Sequence, residues 1–539
     1  MSAPVPDVAP AGRPTPTETD VVVIGSGHNG LTSANYLADA GLDVVVLEAN
    51  SNIGGMTTSG KPFANAPDHT VNFCATDLVF WMVSPVAREL ELHKYGLQTV
   101  PGDPAYGYMH PEGPSVCLFR DARKTVADIA KIHAGDAKAY AEYAEFLDAL
   151  MDVAVPMMLA NMARPRPSDL AVIARSALKH VKRWKEFADF AVMSAAELVE
   201  EKFSHPITQA ALYGVPAAQY PAEASGSAVA HLFHAFIHRT GCFRPVGGLQ
   251  AVPDSLATRL KVRHGGTVLT DARVAEVTVR GGRACGVTLA DGREIRARRG
   301  VVASCDPITL FTKLLPSGSL PHRLENRAKH IPASSFGAAV LKVDVALSGH
   351  ADLSRFNRWR GDGVDLRHAV MMMGEPEPTK RAYALSAAGI VPQAEDMLLF
   401  GITHAPDVTL NPPGQDTLYL YCTTSPVNPE GGWDKHRSAA GDSAVRKAAQ
   451  YYDGLEAREL DRRVETPDQL SARVGTQNGC ILHVDLTRWG PMRPALGLGD
   501  FRLPVKGLFL GGSGAHPSGG VTGMPGRLAA RELLRTSKP

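Results

Sequence analysis

The sequence predicts an α/β protein in which a parallel sheet is assembled from distant parts of the chain around an inserted α+β domain. Three observations carry this expectation. A strand, glycine turn, helix, strand and acid follow one another within Asp20–Glu48. A second strand, glycine-rich loop and helix occupy Gly507–Arg527. The whole chain has 539 residues, too long for one ordinary core.

The first unit opens with Val21–Ile24, an apolar β-branched run too short for a buried helix, which reads as a central parallel strand. It runs into Gly25-Ser26-Gly27-His28-Asn29-Gly30, a G-x-G-x-x-G. Gly25 permits the tight turn, Gly27 lets backbone amides approach a pyrophosphate, and Gly30 lets the following helix pack closely on the strand. That helix, about Leu31 to Ala40, directs its free N–H groups and positive dipole end at the pyrophosphate. A strand from Asp43 to Leu47 then ends in Glu48, whose carboxylate accepts hydrogen bonds from both ribose hydroxyls and repels a 2′-phosphate. Together these parts specify a Rossmann-like unit for an ADP-containing dinucleotide.

Composition narrows the field. Lys and Arg number 56 against 55 Asp and Glu, so no global charge favours nucleic acid. Seven cysteines stand without a C-x-x-C, against a redox disulfide, a zinc site or a secreted disulfide framework. Residues 1–19 carry five prolines and no apolar core segment, and read as a disordered leader. No run has the length to span a bilayer, which places the expected home in the cytoplasm.

After Glu48 come Ala49-Asn50-Ser51-Asn52-Ile53-Gly54-Gly55-Met56-Thr57, and here the chain resembles the flavin-dependent amine oxidase and phytoene desaturase superfamily. The resemblance implies that the Gly54-Gly55 pair, with Met56 and Thr57, passes beside the pyrophosphate and flavin of FAD. Many members carry Arg just beyond the pair, where this chain has Met56. At the far end, Gly511-Gly512-Ser513-Gly514-Ala515-His516-Pro517-Ser518-Gly519-Gly520-Val521-Thr522-Gly523-Met524 is similar to the C-terminal signature of phytoene desaturase and carotenoid isomerase relatives. A helix beginning near Arg527 can stabilise negative charge at the pyrimidine edge of a reduced flavin. Between them, Arg244–Gln250 precedes a helix over about Ala251–Lys261. Strands at Thr267–Thr270, Val274–Arg280 and Ala284–Leu289, a turn at Asp291-Gly292, and a buried strand at Gly300–Ser304 follow. This order resembles the middle segment of the same cofactor domain, which implies that Val274 lends its backbone to the adenine. The expected FAD domain, of the glutathione reductase and amine oxidase type, is therefore discontinuous: 20–115, 240–320 and 475–539. The substrate domain takes 116–239, helical with an amphipathic pattern over Thr125–Leu150. It also takes 321–474, with strands at Ala338–Val345 and Thr417–Tyr421 and a helix near Ser438–Leu460.

A flavin supplies the redox chemistry, so no side-chain motif has to stand out, and none does. His516 is the best-placed candidate near the flavin, as a catalyst or as a loop tether. His69 and Cys74 lie in a segment that the resemblance passes under the cofactor. Of Tyr213, Tyr220, Tyr383, Tyr419 and Tyr421, all in the inserted domain, Tyr421 is taken as a candidate for proton removal. His231, His234 and His238 share a helix face; pocket lining or a surface stripe is favoured over metal ligation. The apolar run Val153–Met162 precedes seven basic residues between Arg164 and Lys185, which leaves open weak peripheral membrane contact. The resemblance implies a dehydrogenase that forms a C=C bond in an apolar or alicyclic substrate, with oxygen or a quinone-type acceptor. Its rivals are a flavin-dependent polyene isomerase, an amine oxidase, and a binding protein of the Rab escort kind.

Overall fold

The computed structural model describes residues 16–485 and 501–536. Two seven-stranded sheets form its framework. In the first, the strand Glu18–Ile24 lies between Val44–Leu47 and Glu294–Ala303, parallel to both. Thr267–Leu269 extends the sheet beyond Val44–Leu47, and Leu508–Leu510 pairs in parallel with Val301–Ala303. Val21 to Val23 are fully buried, as a strand covered on both faces requires. The edge is an antiparallel meander, Val274–Arg280, Arg283–Leu289 and the start of Glu294–Ala303.

Three helices cover the nucleotide end of this sheet. His28–Asp39 begins at the glycine turn, three residues earlier than the expected Leu31, because Gly27 already acts as its N-cap. It packs against Ala251–His264 and Met524–Thr536. Asn35 ties it to the first of these by donating to the Leu256 carbonyl at 2.9 Å. Against the second, backbones touch: a Cβ on Gly526 would stand 1.9 Å from the Asn29 carbonyl oxygen, and one on Gly30 only 2.0 Å from that of Gly25. Glycine is required at both positions by contact distance.

The second sheet runs Glu459–Glu465, Ala338–Leu347, Thr417–Pro426, Leu399–Thr403, Val370–Met373, Tyr106–Met109 and Ser115–Leu118. The last two strands correct the expected boundary at residue 115. Tyr106–Tyr108 pair in parallel with Val370–Met372, so the chain has already crossed into the second sheet near residue 105. At the other end of the chain, Glu18 and Thr19 belong to the first strand, not to the expected leader; residues 1–15 lie outside the described residues. The amphipathic pattern over Thr125–Leu150 resolves into two helices, Ala122–Ala130 and Ala134–Leu159, parted where the His133 side chain caps the second. The helix expected to reach Leu460 stops at Ala449. Gly454, at φ +68°, turns the chain into a short helix and then the edge strand Glu459–Glu465.

His231, His234 and His238 form neither a surface stripe nor a ligand set. The Tyr143 hydroxyl lies 2.7 Å from His231 Nδ1 and 2.8 Å from His234 Nδ1, and the Tyr140 hydroxyl is 2.7 Å from His238 Nε2. Burial holds His231 and His234 below the ordinary imidazole range, so both rings stay neutral.

The crossing of the first and last helices yields a test. Gly526→Ala forces backbone apart and costs at least about 1–3 kcal/mol, as overpacking does. The expected result is a lower Tm by calorimetry, whereas Gly349→Ala, whose Cβ would meet only the Arg458 side chain at 3.7 Å, lowers it less.

Candidate functional site

A cavity of about 400 Å³ lies at the seam of the two sheets and draws its walls from both. On the side of the first sheet it is lined by the glycine turn. Gly25 has φ +93°, and beyond it Gly27, His28 and Asn29 open the helix. No side chain caps this helix and no acid occupies its first turn, so its leading N–H groups are left for another acceptor. His28 Nε2 and Asn29 Oδ1 are buried without a partner among the described residues. Glu48 stands at the end of its strand and faces the same cavity. Its carboxylate is held in place by the Ser26 amide at 3.0 Å, the Ser26 hydroxyl at 2.6 Å and the Asn50 amide at 3.0 Å. Ala49 and Val274 line the wall beside it.

The Gly54-Gly55 turn crosses over the helix start, with Gly27 and Gly54 bridged backbone to backbone. Gly54, Gly55, Met56 and Thr57 all face the cavity. From the far end of the chain, Ser513, Gly520 and Val521 close it. Asn29 Nδ2 donates to Ser513 Oγ at 3.2 Å, across 484 residues of sequence. Gly30, Gly512, Thr522 and Met524 stand behind the lining. A Cβ on Gly512 would lie 2.7 Å from the Ser304 carbonyl oxygen, and Thr522 Oγ1 accepts from the Met524 amide at the head of the last helix. The uncapped helix start, the glycine crossing, the acid at the strand end and the two orphaned polar atoms fit the phosphates and ribose of an adenine dinucleotide.

The wall contributed by the second sheet and its helices is apolar: Val215, Phe233, Val370, Phe400, Ile402 and Tyr421. Tyr421 faces the cavity, but burial drives its phenol well above the ordinary range. Its hydroxyl is therefore held as a phenol at the apolar wall. Cys74 lines the cavity with a thiol pushed up to about 11 by burial, and is unreactive. Two of the candidate residues stand away from this lining. His516 lies behind the lining with Nε2 2.9 Å from the Met157 carbonyl, tethering the C-terminal loop to the end of the long helix. His69 meets the Phe63 ring edge-on, centroids 6.4 Å apart, its Nε2 3.3 Å from the Leu347 carbonyl.

Sequence reasoning missed Asp77 and Tyr106. Both face the apolar half, and the Tyr106 hydroxyl donates to Asp77 Oδ2 at 3.1 Å. Neither belongs to a motif. Asp77 follows the cofactor-proximal segment by only a few residues, and Tyr106 is the first residue of a strand of the second sheet. Arg473 also lines the cavity. Its charge is compensated by Glu465 at 2.7 Å.

Comparison with known proteins agrees with this geometry. The chain is 29% identical to the pyridine nucleotide-disulfide oxidoreductase domain-containing protein 2 of Mus musculus, over 98% of this chain and 95% of that protein. It is 24% identical to a lycopene-forming phytoene desaturase of a Paracoccus species, over 97% and 98%. A solved putrescine oxidase variant superposes with a TM-score of 0.58 at 17% identity, over 96% of this chain and 98% of that one, which shows the fold. The family of flavin containing amine oxidoreductases matches residues 30–368. The chain belongs to that family and is an FAD-dependent oxidoreductase that acts on a small molecule and passes electrons to an acceptor.

Proposed function

We propose that this oxidoreductase is a dehydrogenase of the desaturase kind. It forms a C=C bond in an apolar or alicyclic substrate and uses oxygen or a quinone-type acceptor. The observation that carries the reading is the apolar wall of Val215, Phe233, Val370, Phe400, Ile402 and Tyr421, set opposite the glycine crossing in one cavity. The name of the Paracoccus relative, a phytoene desaturase, supports it.

In this reading Gly27, His28, Asn29 and Gly30 present backbone N–H groups to the pyrophosphate, and Glu48 receives the ribose hydroxyls. Gly25, Ala49, Gly54, Gly55, Met56, Thr57 and Val274 frame the adenosine and diphosphate. Gly512, Ser513, Gly520, Val521, Thr522 and Met524 frame the ring system. Bound there, FAD would supply the two-electron acceptor for a hydride leaving one carbon, as the neighbouring carbon gives up a proton to solvent, and the oxygen or quinone-type acceptor would take the electron pair on reoxidation. The apolar wall excludes water from the reacting carbons and orients the substrate by shape.

The absorption spectrum of the purified protein is expected to show flavin bands that pass to the supernatant on acid precipitation. A colourless protein that FAD cannot reconstitute overturns the cofactor placement. Glu48→Arg is expected to lower flavin occupancy at least about tenfold by removing the ribose acceptor. Because Glu48 also holds Ser26 and Asn50, Glu48→Gln provides the milder control, with Tm read alongside. Anaerobic bleaching by alicyclic or terpenoid compounds supports the desaturase reading; bleaching by amines alone replaces it with amine oxidation.

We also propose that the enzyme touches an anionic membrane surface. Among the described residues no helix is long and apolar enough to cross a bilayer. Yet Leu170, Val172, Leu178, Val181, Trp184 and Val192 are exposed, Leu178 by 72%, among Arg175, Lys179, Lys182, Arg183 and Lys185. The apolar run Val153–Met162, expected to form this patch, instead turns Val153 inward and leaves Met157 and Met158 half-buried. Sedimentation with phosphatidylcholine vesicles containing phosphatidylglycerol is expected to carry the protein down, and Leu178→Glu with Trp184→Glu to release it. Equal behaviour of the variant removes the proposal.

A further inference from the structure

Asp77 presents a carboxyl group to the apolar half of the cavity, a setting in which a polar group is costly unless something pairs with it. Its own partners do not exhaust it. Oδ2 receives the Tyr106 hydroxyl at 3.1 Å and the Thr76 hydroxyl only at 3.5 Å, and Oδ1 receives the Val79 amide only at 3.4 Å. A carboxylate offers about four acceptor sites, and bonds at those two longer distances are weak. Burial raises the Asp77 carboxyl above its ordinary range, and the nearby Arg244 guanidinium draws it back down. Arg244 is itself buried and donates to the Thr403 and His368 carbonyls at 2.6 and 3.2 Å. Tyr106 is held protonated by burial and by Asp77, so it remains a donor to the carboxylate.

The position is as telling as the chemistry. Ala75, two residues before Asp77, bonds its amide to the Met56 carbonyl of the glycine crossing. Three residues after Asp77, Phe80 packs where a Cβ on Gly520 would stand 2.6 Å away. Phe80 and Tyr106 both meet Phe233 edge-on, with centroids 5.4 and 5.0 Å apart. Asp77 thus hangs between the Met56 turn and the Gly520 loop, and lines the same cavity as Phe233 and Ile402.

We propose that Asp77 is the polar anchor of the substrate half, and that the substrate bears a hydroxyl group on an otherwise apolar frame. This rests on the assignment of that half of the cavity to substrate. A neutral hydroxyl donates to a free lone pair of the carboxylate and leaves the Asp77–Arg244 pair balanced. An ammonium group would bring a second positive charge beside Arg244 in a dry site. Asp77 acts here as a specificity-determining residue that orients the substrate, with Tyr106 fixing the carboxylate.

The test uses the FAD-loaded protein and three probes of one shape: 4-tert-butylcyclohexanol, its methyl ether and 4-tert-butylcyclohexylamine, titrated by isothermal calorimetry. The alcohol is expected to bind at least about tenfold more tightly than the ether, since a site built for a hydroxyl rejects an analogue that cannot donate. Asp77→Leu is expected to erase that difference while leaving ether binding and the flavin spectrum unchanged. Tyr106→Phe is expected to reduce the difference. Equal binding of alcohol and ether, no binding of any probe, or preference for the amine overturns the anchor. Each of those outcomes with flavin bands intact leaves the cofactor assignment standing, so the two readings fail separately.

Discussion

The closest constraint in the molecule is the backbone contact at Gly526 and Asn29, where a single added carbon would sit 1.9 Å from a carbonyl oxygen. It presses the last helix onto the first, and Ser33 Oγ secures the crossing by donating to the Gly526 carbonyl at 3.0 Å. With those helices fixed, the loop Ser513–Thr522 is brought over the start of the first helix, where Asn29 meets Ser513. The C-terminal wall of the dinucleotide end descends from that crossing. Its stability is therefore a property of the cavity as much as of the core.

The substrate side is held by a different kind of force. Beneath Tyr419 runs a chain of buried charges: Lys342, Asp344, Arg463, Glu465 and Arg473. The Lys342 ammonium lies 4.2 Å from the Tyr419 ring centroid, and burial pulls its pKa down to about 8. Such a network adds little net stability when complete, and breaking any member strands a charge in low dielectric. It braces the strand Thr417–Pro426 that carries Tyr419 and Tyr421, stacked with centroids 6.0 Å apart, and so sets the floor of the apolar half. The glycine crossing positions by contact and this network positions by charge.

The first sheet was the more legible part of the chain, and the reason is local. A strand, a turn requiring Gly25 at φ +93° and a helix beginning at an uncapped N-terminus are encoded within a dozen adjacent residues, so sequence order is spatial order. The second sheet joins Tyr106–Met109 to Val370–Met373 across some 260 residues, and nothing in either segment names its partner. The same limit explains the chemistry. His516 attracted attention because it sits inside a motif, yet its ring reaches back to Met157. Asp77 and Tyr106 went unnoticed because their pairing exists only after two domains have met. Residues whose role follows from backbone shape were readable; residues whose role follows from a meeting of side chains were not.

The strand Leu508–Leu510 lies beside Val301–Ala303, which lies beside the first strand of the chain. The nucleotide end is thus closed by a segment some 480 residues along the chain from the strand it completes. A chain that carries the G-x-G-x-x-G alone has the start of the binding helix, and lacks the loop that covers it. Both segments must therefore be in place before the cavity has all its walls, since Ser513, Gly520 and Val521 come only with the second.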